Sequence, residues 1–121
     1  MTLVRQVLPG MIERGDGALL FGLAVCASVP IPQLGNVGTA SAAARGYLQN
    51  LSAALNGTGV YAGLLQVAGL VADSDSARHF AEEHDPSELP EPIDPADLAD
   101  ACWNLYLKRD RFEEIVAGPG T

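Results

Sequence analysis

The sequence predicts an α/β fold: a partial Rossmann-like layer of three parallel strands with helices on both faces, completed by oligomerisation. Three observations lead there. Two apolar runs of strand length, 18–25 and 59–71, are continuous rather than alternating, as in parallel strands buried on both faces. Apolar residues at helical spacing mark helices before, between and after them. The resulting order is helix–strand–helix–strand–flap–helix–strand, and right-handed crossovers then set three strands side by side. A chain of 121 residues holds this as a single domain, 1–121.

Each element has its own signal. Leu3, Val4, Val7, Leu8, Met11 and Ile12 give a helix over 2–14, which Pro9 is expected to interrupt and Gly15-Asp16-Gly17 to end. "ALLFGLAV", 18–25, is the first strand, followed by a loop with Pro30 and Pro32. Ala44, Tyr47, Leu48, Leu51, Ala54 and Leu55 line one side of a helix over 39–55, closed by Asn56-Gly57. "GVYAGLLQVAGLV", 59–71, is the second strand. Residues 72–93 turn polar and acidic, with Pro86, Pro90 and Pro92, and read as a mobile flap with one short helix. Asp94 then caps a helix with Pro95 at its first position and Asp97 at its third. "FEEIVAG", 112–118, is the last strand.

Composition narrows the function. Fifteen acids against seven bases give a net charge of −8, which repels phosphate backbones and anionic membranes, so no nucleic acid or membrane partner is expected. Only Glu13 and Asp16 of those acids lie in residues 1–72, so that part suits burial or an interface. Apolar residues make up 48% of the chain, and the mean hydropathy of +0.15 is high for so small a soluble domain. Cys26 and Cys102 are isolated, the start lacks a signal-peptide pattern, and no apolar run reaches bilayer length. A soluble, reduced, cytoplasmic protein is the expectation.

The stretches "LPGMIERGDGALLF", "PQLGNVGTASAAARGYLQNLSAAL", "GVYAGLLQVAGLV" and "DPADLADACWNLYLKRDRFEEIVAG" follow one another in a telling order. Together they resemble the C-terminal half of the short-chain dehydrogenase/reductases, from the fourth helix to the seventh strand, across essentially the whole chain. The resemblance implies an active-site loop at 32–41 and a flap over a substrate pocket. The departures from that family are specific. Its tyrosine, five residues after the loop proline, falls on Val37, and its lysine, four further on, on Ser41. Its serine falls on Ala24, with Ser28 a substitute only if the loop shifts, and the proline of its strand-six exit is Ala68, followed by Gly69. Hydride transfer to a carbonyl needs a proton donor with a pKa lowered by a neighbouring cation, which Val37 and Ser41 do not supply. No glycine-rich phosphate turn occurs in the sequence. No cofactor, and in particular no NAD(P), is therefore expected.

The remaining candidates are weaker. Cys26, just past the first strand, is a possible nucleophile with Ser28 and Ser41 near it, although a small buried cysteine is the simpler account. "HFAEEH" offers His79 and His84, but their spacing of five fits no helical metal site, and a solvated acidic helix explains the run; no metal is expected. His84 is the alternative acid or base, while Asn36, Val37, Tyr47, Gln66, Gly69 and His79 would line a substrate pocket between 26–41, 66–72 and the flap. The expected function is a redox-inactive protein that binds a hydrophobic metabolite or performs a cyclase-, isomerase- or lyase-type reaction on it. The alternative is a non-catalytic subunit of a dehydrogenase-like partner. In either case the exposed edge of the first strand calls for a second chain, in a homodimer or higher homo-oligomer or with a hetero-partner supplying the missing half.

Overall fold

A computed structural model describes residues 2–119. Its elements run α1 (Thr2–Arg14), β1 (Gly17–Ala24), α2 (Asn36–Ala54), β2 (Val60–Ala68), α3 (Asp75–Glu83), α4 (Pro95–Lys108) and β3 (Glu113–Ala117). The three strands form one open parallel sheet in the order β1-β2-β3, so the partial Rossmann-like α/β architecture is present. Gly17 faces Val60 and Ala24 faces Val67 along the first pair; Leu64 faces Glu113 and Ala68 faces Ala117 along the second.

β2 is the central strand, and its continuous apolarity has the expected cause: both of its faces are covered. On one face, Val4 of α1 and Leu55, the C-cap of α2, pack with Leu19, Val60 and Ala62, joined by Val7, Leu8, Met11, Phe21 and Leu51. On the other face lies α4, with Leu105 fully buried. Burying a leucine this completely contributes about 1.5–3 kcal/mol, so Leu48, Leu64 and Leu105 are principal anchors of the three layers.

Several boundaries differ from the sequence expectations, each for a local reason. Pro9 does not interrupt α1. The carbonyl it leaves unbonded belongs to Arg5, an exposed residue, so water can satisfy it. α2 starts at Asn36 rather than Thr39, because Gly35 at φ 50° turns the chain out of a 3-10 turn at Pro32–Leu34. β2 stops at Ala68, where Gly69 at φ 146° bends the backbone. Asp94 does cap α4, its Oδ1 accepting the Ala96 N–H at 2.9 Å.

The 72–93 segment is tied at its base. Ile93 N–H donates to Leu70 O at 2.7 Å and Ala72 N–H to Ile93 O at 2.8 Å, while the Ile93 side chain is fully buried. At the opposite end of the sheet, Gly15 and Gly59 bring the entries of β1 and β2 into backbone contact. A Cβ on Gly59, which sits at φ 80°, would overlap the Gly15 carbonyl.

Candidate functional site

Parallel sheets present ligands with the carboxyl ends of their strands. Here β1 runs into a 3-10 turn, Val25–Ala27, and then a loop with Pro30 and Pro32 that folds back to α2. Between loop and helix lies an open hollow of about 380 Å³, lined by Cys26, Ser28, Ile31, Gly38, Thr39 and Ala42 among others. Cys26 is buried beside Gly38, where a Cβ would rest 3.9 Å from the Cys26 Cβ. The small residues of α2 thus let the helix approach this wall closely.

Beneath the hollow runs a chain of polar side chains. Ser28 Oγ donates to Gln66 Oε1 at 2.8 Å, and Gln66 Nε2 donates to Glu113 Oε2 at 2.8 Å. Arg45 of α2 grips the same carboxylate from above, Nε to Oε2 at 2.9 Å and Nη2 to Oε1 at 2.6 Å. Gln66 is 0% exposed in the middle of the sheet, so its amide depends wholly on these partners. The hydrogen bonds from Arg45 hold the Glu113 carboxyl below its ordinary range against burial, which pushes it up, with Gln66 assisting. A carboxylate only accepts, so it fixes the Gln66 NH₂ toward itself and the amide oxygen toward Ser28. The Ser28 proton is thereby committed to Gln66, and its oxygen is left as an acceptor at the wall of the hollow.

The other candidates fall elsewhere. Ser41 is half-buried on α2, whereas Asn36 and Val37 are exposed on its first turn. Tyr47 lies further along α2 and is also exposed. Gly69 marks the exit of β2, where a Cβ would stand 3.4 Å from Ile93 Cδ1. His79 Nε2 lies 3.2 Å from Glu83 Oε1 on the exposed side of α3. His84 caps α3, stacks on Phe80 at 3.8 Å and donates from Nδ1 to Phe80 O at 2.9 Å. The geometry therefore joins Ser28 with Gln66 and places Cys26 beside them, and it leaves both histidines outside that hollow.

No protein-family model matches this chain, and a search of curated proteins finds no match.

Glu113 and Arg45 complete the site and were not expected from the sequence. Their signal was a lone glutamine within "VYAGLLQVAGLV", a buried amide that must find polar partners on neighbouring elements. A second hollow of about 370 Å³ sits at the amino ends of the strands, near Asn56, Arg109 and Arg111. Its cations are already engaged. Arg111 bonds Asp110, Asn104 and Glu114, and Arg109 lies 4.8 Å over the Tyr106 ring and donates to Tyr106 O. Among the described residues no cluster of three or more His, Cys, Asp or Glu could hold a metal, and no helix is long and apolar enough to cross a membrane.

Proposed function

We propose that the chain is a redox-inactive relative of the short-chain dehydrogenase/reductases that binds a small hydrophobic, hydroxyl-bearing molecule at the carboxyl ends of its strands. The observation that carries this is the committed Ser28 proton. A hydroxyl so held accepts a hydrogen bond from a ligand O–H or N–H, but it cannot stabilise a developing oxyanion as a carbonyl reductase must. Ile31 and Ala42 supply apolar wall for the body of the molecule, and Gly38 and Thr39 the closely approaching helix. Val37 and Ser41, at the positions of the family's tyrosine and lysine, offer no acid of lowered pKa. Two free cysteines suit a reducing compartment such as the cytoplasm.

The test is a binding panel of matched cyclic alcohols, ketones and methyl ethers of terpenoid size, with NADP(H) alongside, read by NMR shift perturbation. Alcohols should perturb Ser28 and Thr39 resonances, and Ser28→Ala should weaken that binding about fivefold, the worth of one hydrogen bond. Carbonyl reduction driven by NADPH would refute the reading, as would equal binding of all three series. A regulatory subunit of a dehydrogenase-like partner is the second reading, supported by Leu3 and Ile12, which α1 leaves exposed.

A further inference from the structure

We infer that a second copy of this chain pairs with β1, edge to edge and antiparallel, to make one six-stranded sheet across a two-fold axis. This stands independently of what the strand-end hollow binds.

Among the described residues, β1 has a sheet neighbour on one side only. Alternate residues of such an edge direct their N–H and C=O groups outward, a template for another strand. The sequence "GALLFGLA" does nothing to blunt it: it has no charge, no proline and no bulge opposite β2. One side of this strand is also bare. α4 lies chiefly over β2 and β3, leaving Leu20 40% exposed, and a Cβ on Gly22 would meet nothing within 4 Å. Between β1 and α4 runs an apolar groove of about 530 Å³, lined by Ala18, Leu20, Ala99, Cys102, Trp103 and Tyr106.

The surface area fits a second copy as the occupant. The chain exposes 7585 Å², whereas a compact monomer of 12.6 kDa exposes about 6,200 Å². The excess is about 1,400 Å² per copy, and two copies hiding it would bury about 2,800 Å², within the range of obligate homodimers. The surface also complements itself. Trp103 projects with 61% of its surface exposed, beside Ala18 and Leu20, and the same face of β1 continues through the exposed small residues Gly22 and Ala24. A two-fold axis perpendicular to the sheet keeps both α4 helices on one face, so each Trp103 faces the open surface at Gly22 and Ala24 of the other copy. The net charge of −8 does not oppose this, because neither β1 nor the groove carries a charged side chain.

Sedimentation equilibrium on the full chain, with Gly22→Lys and Trp103→Ala, tests the inference. The unmodified chain should sediment at twice its monomer mass in the low micromolar range. Gly22→Lys sets two like charges at the seam while entering open space in each folded copy, and should raise the dissociation constant roughly 100-fold. Trp103→Ala should raise it roughly tenfold or more. Hydrogen exchange on the unmodified chain gives a second readout that no variant can confound. Pairing on both sides protects consecutive amides along 18–24, and dilution should restore exchange at every second one. A monomeric unmodified chain, a dimer indifferent to Gly22→Lys, or alternating protection at high concentration would each overturn the inference.

Discussion

Replacing Glu113 by alanine removes the acceptor on which three hydrogen bonds converge, two from Arg45 and one from Gln66. Arg45 keeps 26% side-chain exposure and can return to water, so its lost pair costs only about 1 kcal/mol. Gln66 cannot rehydrate, and its stranded amide costs about 1–3 kcal/mol. The sum, about 2–4 kcal/mol, corresponds to a fall in Tm of roughly 8–16 °C for a chain of this length. Thermal unfolding by circular dichroism measures it. Combining Glu113→Ala with Gln66→Leu removes the stranded amide as well, so the double variant should recover about 1–2 kcal/mol relative to the sum of the single ones. The pH dependence has a definite sign. Because the folded carboxyl titrates below its ordinary value, its contribution is complete above the ordinary carboxylate range and fades as pH falls through the lowered folded value. The gap between the unmodified chain and Glu113→Gln should therefore hold near neutrality and narrow only in acid. A Tm loss of under about 2 °C for Glu113→Ala, or strict additivity with Gln66→Leu, would refute the account of this polar chain.

Three other substitutions probe separate parts of the fold. Gly59→Ala forces a Cβ into the Gly15 carbonyl at a positive φ, and should cost about 3 kcal/mol or more in chemical denaturation. Ile93→Ala empties a fully buried site and should cost about 2–5 kcal/mol, while hydrogen exchange at Ala72, bonded to Ile93 O, speeds up. Asp94→Ala loses the cap on Ala96 N–H and should cost about 1 kcal/mol, with Asp94→Ser recovering most of it.

The fold was largely legible because its strongest signals are local. Continuous apolarity in 60–68 reports a strand covered on both faces, and Asp94-Pro95 states a helix start in two residues. Boundaries were less legible where single glycines decide them. Gly35 and Gly69 take positive φ angles that composition does not reveal, and they moved the start of α2 and the end of β2. The flap's prolines and acids are conspicuous in the sequence, whereas the tether at its base is a pair of backbone hydrogen bonds made by an ordinary isoleucine. Of the site, Ser28 and Gln66 could be named from the chain. Glu113 lies 47 residues beyond Gln66 and Arg45 lies 68 before Glu113, and only the folded sheet brings them to one carboxylate.

The glycine clasp between Gly15 and Gly59 divides labour within the sheet. Because the two strand entries meet there without room for a side chain, a slip of one residue between them is barred at the end remote from the hollow. Alignment of β1 with β2 is thus settled far from the prolines and alanines of 30–44. Those residues are free to change their chemistry over evolutionary time without putting the pairing of the strands at risk.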